Sequence, residues 1–284
     1  MKLTKIFALA VLAAASAAYA ETISMVDLGE GNYTSVGDKV INITGSQGKT
    51  IENAVNIIPA GGIIILNGNF KLDSQINVKK AITIRSPRGS VLDAQGKSRV
   101  LRLQGQGIVI ENLTITGGGG GGYVFEGGGI NIDASSIDII NCRITGNNAS
   151  FVGGGVSFAM QGGESKARFI SCDISGNYVS LQGGGIYAEK GNIELINCTI
   201  TGNSARFGSG GICIEGSASA SAVNCNISGN TPDDVSGNLT VSGQASSAEA
   251  QEQEREQESS GGGCSASGLG LALAAVLIWR KHHD

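Results

Sequence analysis

The chain has 284 residues, 45 of them glycine, and a formal net charge of −4. Aromatic residues make up 5% and charged residues 15%, which excludes a core built around large rings. Glycine without a Gly-X-Y period excludes collagen, and an acidic chain without basic–aromatic clusters argues against a nucleic-acid partner.

Met1–Ala20 carries Lys2 and Lys5, an apolar run from Ile6 to Ala15, and the small-residue stretch Ala18-Tyr19-Ala20. These are the three regions of a secretory signal peptide, and cleavage between Ala20 and Glu21 is expected. Residues 21–49 read as a lead-in. In Thr50–Ile58 the apolar residues fall at Ile51, Ala54, Val55 and Ile58, a helical spacing that Pro59 ends. Strands are expected at Ile63–Leu66, Ile76–Val78, Ala81–Ile84, Val100–Leu103 and Ile108–Ile110.

From Leu101 the chain repeats itself. The phrases NLTITGG, NCRITGN, SCDISGN, NCTITGN and NCNISGN begin at Asn112, Asn141, Ser171, Asn197 and Asn224, in steps of 29, 30, 26 and 27 residues. A glycine series runs in phase with them, opening at Gly127, Gly153, Gly183 and Ser209. Periods of this length mark solenoids, propellers or arrays, and no segment between Leu101 and Val241 is long and periodic enough for a helix. In Ile193–Ile200, Ile193 and Leu195 share one parity while Cys198 and Ile200 share the other. Strand side chains alternate with period two, so a bend at Ile196-Asn197 is needed to point both pairs inward. Each coil then has three strands: one after the glycines, one before the asparagine and one after it.

Stacking such coils puts like residues over like. Asn112, Asn141, Ser171, Asn197 and Asn224 form a ladder at the bend, where asparagine tolerates left-handed backbone and can bond the coils above and below. Leu113, Cys142, Cys172, Cys198 and Cys225 stack inside. Buried cysteine acts as a small hydrophobe and so interchanges with leucine. Disulfides between neighbouring coils stay open, because stacked Cα atoms fall within the allowed range. A metal site is disfavoured: a column does not converge tetrahedrally, and no histidine lies nearby. Cys213 falls outside the column.

With these motifs, Thr50 to about Val241 resembles the right-handed parallel β-helix superfamily of pectin-lyase-like proteins. The GGGI…NCTITGN phrasing is similar to repeats of the polymorphic outer-membrane-protein type. The resemblance implies an all-β solenoid of about seven three-strand coils over residues 50–242, with the helix capping its N-terminal end. It also raises the prospect of a polysaccharide lyase or hydrolase, but the residues point the other way. The only histidines are His282 and His283, in the tail. The paired aspartates and Gly-His-Gly stretch of polygalacturonases are missing. Asp93, Glu126, Asp133, Glu164, Glu189, Glu194 and Glu215 read as scattered. Arg143 and Asp173 occupy equivalent repeat positions and read as an exposed ladder pair. No catalytic residue, metal or cofactor is assigned. Tyr123, Phe125, Phe151 and Phe207 sit in the turns, where exposed rings can stack on sugars or pack over the coil below.

Residues 243–263 are a polar Glu/Gln/Gly linker. Residues 264–284 hold Cys264, an apolar run to Trp279 and a basic end. At about 1.5 Å per residue this run is short for a stable span. The SGGGCSA stretch, together with the apolar run and the basic end, resembles bacterial sorting tails of the GlyGly-CTERM and Synergist-CTERM type. That resemblance implies processing near Gly263–Cys264 by an envelope protease. The other reading is a permanent single-span anchor. Either way the expectation is an exported protein of the bacterial cell envelope or surface, joined to a membrane by its tail. It is read as a non-catalytic, adhesin-like binder of polysaccharide or another surface ligand. The alternative is an extracellular polysaccharide lyase or glycoside hydrolase acting on acidic glycans.

Overall fold

A computed structural model describes residues 32–36, 39–119, 124–133, 136–158 and 165–243. The expected signal peptide, most of the linker, the tail, and with them Ala20, Glu21, Gly263 and Cys264, lie outside the described residues.

One coil shows the plan. Strand Ile186–Ala188 leads through a short turn to strand Asn192–Ile196, then a corner at Asn197, strand Thr199–Thr201 and the short strand Ser204–Ala205. Each strand pairs in parallel with its counterparts in the coils before and after. Leu195, for example, lies between Phe169 and Ala222, and Ile186 between Val156 and Ile212. The strand after the glycines recurs from Ile76–Val78 to Val235–Ser236 as a seven-stranded sheet, so the chain is an all-β parallel solenoid of about seven turns.

Inward positions stack into unbroken apolar columns. Ile84, Ile110, Ile139, Phe169, Leu195 and Ala222 follow one another in register and all are fully buried. A buried aliphatic or aromatic side chain contributes about 1.5–3 kcal/mol, so the columns supply the main favourable term. Among the described residues one helix, Gly48–Ile57, buries Ile51, Ala54 and Val55 in the same core.

Three features differ from the sequence expectation. The coils carry a fourth, two-residue strand: Asn148–Ala149, Tyr178–Val179 and Ser204–Ala205 form a separate small sheet. Two residues are too few to show a period. The lead-in is partly structured, since Val40–Thr44 pairs in parallel with Gly62–Asn67 and antiparallel with Asn32–Val36. Finally, Ile82–Asp93 is one long strand whose corner is made by Ser86 to Ser90 instead of one asparagine. There the Ser90 N–H donates to Ser86 Oγ at 2.9 Å.

The glycine runs have a steric reason. A Cβ on Gly154 would lie 2.3 Å from the Tyr178 carbonyl oxygen, and one on Gly128 2.3 Å from that of Asn148. Successive coils therefore touch backbone to backbone at this turn, and any side chain would force them apart.

Candidate functional site

The repeated heptad is a structural device. Its first residue takes left-handed backbone in every copy: φ is +54° at Asn112, +51° at Asn141, +54° at Ser171, +55° at Asn197 and +53° at Asn224. The side-chain ladder there is short. Asn112 Nδ2 donates to the Ser86 carbonyl at 2.5 Å, and Asn141 Nδ2 to Asn112 Oδ1 at 3.2 Å. Among the described residues, no side-chain hydrogen bond continues it through Ser171, Asn197 and Asn224. A serine at the third rung is too short to pass the bond on.

The continuous ladder lies at the heptad's last letter. Asn147, Asn177, Asn203 and Asn230 are buried. Each Nδ2 donates to the next Oδ1 at 2.7–3.0 Å and to a carbonyl of the preceding coil at 2.8–3.0 Å, until Asp234 ends the series. Each Oδ1 also accepts the backbone N–H of the preceding asparagine. Every amide hydrogen is thereby matched, as a buried polar group requires. The identity of this letter in four of five copies was the available signal; the glycine in the first copy, Gly118, donates its backbone N–H to Asn147 Oδ1.

Cys142, Cys172 and Cys198 are buried, Cys225 is half-buried, and all four are free thiols. Cys142 Sγ donates to the Ile140 carbonyl at 3.2 Å, and Cys198 Sγ to that of Phe169 at 3.3 Å. Burial pushes the Cys142 thiol up to about 11; the adjacent Cys172 thiol, more than burial, pushes Cys198 up to about 11. Thiols that hold their protons at neutral pH are poor nucleophiles and poor metal ligands.

A different face gathers polar chemistry. On the seven-stranded sheet, the middle residue of each three-residue strand points away from the core. Register stacks these as Asn77, Arg102, Asn131, Ser157, Tyr187 and Cys213. Asn131, Ser157, Tyr187 and Cys213 are nonetheless buried, while the flanking Arg99, Arg102, Glu126, Asp133, Glu189 and Glu215 are half-buried. A buried polar row between half-buried charged flanks therefore runs along the solenoid axis. The Glu126 rim continues into the turn aromatics: Phe125 stacks on Phe151 at 5.1 Å, and Phe207, 45% exposed, lies beside Arg206.

This face is electrostatically mixed. Arg102 pairs with Asp133 at 2.8 Å. Arg99 donates to the Glu126 and Gly127 carbonyls and to Gln75 Oε1 at 3.0 Å, clamping the glycine turn of the next coil; burial lowers its guanidinium to about 10. The Asn131 amide sits between two carboxylates, 3.4 Å from Glu126 and, turned over, 3.1 Å from Asp133, the better bond. Tyr187 Oη donates to Glu215 Oε2 at 2.9 Å. Burial raises the Glu215 carboxyl against the pull of that bond. Ser157 Oγ, fully buried between Asn131 and Tyr187, has no hydrogen-bond partner among the described residues.

The acids are thus less scattered than the sequence suggests. Glu126, Asp133, Glu189 and Glu215 flank the same sheet, Glu126 ahead of its strand and the other three directly after theirs. No three among the described His, Cys, Asp and Glu residues are arranged to hold a metal ion. Elsewhere carboxylates are matched by cations one coil away: Asp138 with Arg168 through two bonds, Asp173 with Arg143 at 3.3 Å, and Glu194 with Lys166 at 2.6 Å. Tyr123 and Glu164 lie outside the described residues.

A family model described as "Right handed beta helix region" matches residues 128–247. The fold is a right-handed parallel β-helix. No curated protein matches. Among solved structures, the pectin methylesterase of Aspergillus niger is similar at 11% identity and a TM-score of 0.43, covering 78% of this chain and 90% of that one. A likeness at that level carries no inference about activity. No described helix is long and apolar enough to cross a membrane.

Proposed function

We propose that this protein is an exported, non-catalytic β-helix that binds an extended polysaccharide along the groove of the seven-stranded sheet. The observation that carries this reading is the buried Ser157 hydroxyl without a partner, flanked in register by Asn131 and Tyr187. A buried hydroxyl left unpaired costs about 1–3 kcal/mol, a cost that a ligand hydroxyl would remove. Coils repeat at about 4.8 Å, so groove residues recur along an axis that suits a chain-like ligand. The test is titration of the purified domain with a panel of soluble neutral and acidic glycans by calorimetry. Ser157→Ala should weaken binding about tenfold, the loss of roughly one well-made hydrogen bond. Failure of every glycan to bind would refute the reading.

Helix Gly48–Ile57 serves in this proposal as the N-terminal cap of the core, as solenoid ends require. Secretion by cleavage after Ala20, processing by an envelope protease near Gly263–Cys264 and display at the cell surface complete it. Intact mass of the protein recovered from cells reports both cleavages.

One observation favours a second reading, an extracellular lyase or hydrolase. Glu215 is a carboxyl raised by burial and held by Tyr187 in the same groove, the environment in which carboxyls act as general acids. Ultraviolet-absorbing unsaturated products or new reducing ends from an incubated glycan panel would establish it.

A further inference from the structure

Charge is unevenly distributed along the solenoid. Residues 39–119 hold ten lysines and arginines against four aspartates and glutamates, a net charge of +6. The described residues of 124–243 hold five against nine, a net charge of −4. Opposite fields in the two halves of one chain, with the basic half at the N-terminal coils, point to an anionic partner there.

Five of these basic residues border one face. Register stacks Val40, Ile63, Thr83 and Val109 in one outward column, and Asn42, Ile65, Arg85 and Glu111 in the next. Val40, Ile63, Ile65 and Val109 are only half-buried, so aliphatic surface stays open on the outer side of this sheet. Lys39, Lys79 and Lys80 lie along one margin, at the turns leading into Val40–Thr44 and Ile82–Asp93. Arg85 and Arg88, both exposed, lie along the other, at the corner of Ile82–Asp93. Lys80 Nζ donates to the Asn56 carbonyl at 3.1 Å, which sets the end of the helix, with Ile57 48% exposed, beside the lysine margin. Among the described residues none of the five is in a salt bridge, whereas Arg102, Arg143, Lys166 and Arg168 each face a carboxylate.

We propose that this face docks on an anionic lipid surface, with its two basic margins among the headgroups and Ile57, Ile63 and Ile65 towards the acyl boundary. Aliphatic surface between basic margins suits a membrane interface: the charges attract the protein, and the apolar area holds it there. A soluble polyanion would match the charges but leave the aliphatic side chains in water. The inference stands apart from glycan binding, because the seven-stranded sheet is a different face of the coil.

The test is sedimentation of the full chain with vesicles of phosphatidylcholine alone, and of phosphatidylcholine and phosphatidylglycerol in equal parts. The readout is the ratio of anionic to neutral partitioning, to which any insertion of the apolar run Leu269–Trp279 contributes equally in every variant. A basic side chain at an anionic surface contributes about fivefold, so Lys79→Gln with Lys80→Gln should lower the ratio by roughly 25-fold. Lys71→Gln with Lys97→Gln makes the same change in net charge beyond the corner of the same coils. It should stay within about threefold, because charges more than a Debye length from the surface are screened. Ile57→Ser should lower the ratio by about threefold or more. Urea midpoints should show that every variant is folded. Equal partitioning into both vesicles overturns the proposal, as does an equal loss in the two double variants. Binding of soluble polygalacturonate that needs Lys79 and Lys80, with a vesicle ratio that Ile57→Ser leaves unchanged, assigns the face to a soluble polyanion and overturns it too.

Discussion

Replacing Asn177 by alanine tests the buried asparagine ladder directly. In the native protein Asn177 Oδ1 accepts from the Asn147 backbone N–H and from Asn147 Nδ2, both at 3.0 Å. Its Nδ2 donates to the Ile144 carbonyl and to Asn203 Oδ1, both at 2.9 Å. Alanine removes all of these and leaves two buried donors on Asn147 without that acceptor. At about 1 kcal/mol per net bond and 1–3 kcal/mol per orphaned buried group, the loss is about 3–6 kcal/mol. That is a large share of the roughly 5–15 kcal/mol that keeps a domain folded. The matched control is Asn141→Ala, at an exposed corner with one 3.2 Å side-chain bond and φ of +51°. Left-handed backbone costs alanine about 1–2 kcal/mol there. Urea unfolding followed by circular dichroism gives both values, and amide exchange at Asn147 and Tyr178 localises the effect. If Asn177→Ala costs no more than Asn141→Ala, the ladder is not what holds the turns together.

Phe169→Ala, at a fully buried core position, should cost about 3–5 kcal/mol by the same urea assay. Arg143→Ala should cost under about 1 kcal/mol, because its partner Asp173 and it are both well exposed. Thiol titration gives a pH prediction. Cys142 and Cys198 are raised from 9.0 to about 11 in the folded protein. Their contribution is therefore fully present below pH 9 and is lost as pH rises towards 11, because the unfolded chain releases these protons first. The urea midpoint should fall between pH 9 and 11, and less steeply in a Cys142→Ala, Cys198→Ala double variant. An equal fall in both proteins would show that the thiols are not responsible.

The fold was legible because a solenoid writes its geometry many times. The inward positions of Ile193, Leu195, Cys198 and Ile200 can be read from parity alone, and the kink at Asn197 follows from it. The positive φ at the corner was readable for the same reason. Which asparagine carries the ladder was not. Both the first and last letters of NCTITGN are turn-forming, and only side-chain direction separates the exposed Asn197 from the buried Asn203. The grouping of acids along the seven-stranded sheet was hidden for another reason. Glu126, Asp133, Glu189 and Glu215 come from both flanks of the sheet and from three coils. Their convergence depends on where each strand begins and ends, the least certain part of any reading from sequence.

The three-residue strands of the seven-stranded sheet divide apolar packing from polar chemistry within single segments. Their inward positions hold Ile76 and Val78, Leu101 and Leu103, Ile130 and Ile132, Val156 and Phe158, Ile186 and Ala188: apolar at every coil, because each must rest on its predecessor. Their outward positions hold asparagine, arginine, asparagine, serine, tyrosine and cysteine in turn. Stacking alone would favour like residues here as well, since the spacing is the same on both sides of the strand. The core constrains the inward set to apolar residues, whereas the outward set is free to differ from coil to coil. On the binding proposal, Ser157→Ala should weaken binding while raising the stability of the free protein by about 1–3 kcal/mol, the cost of the unpaired hydroxyl, whereas an inward change one residue away, Phe158→Ala, should cost about 3–5 kcal/mol.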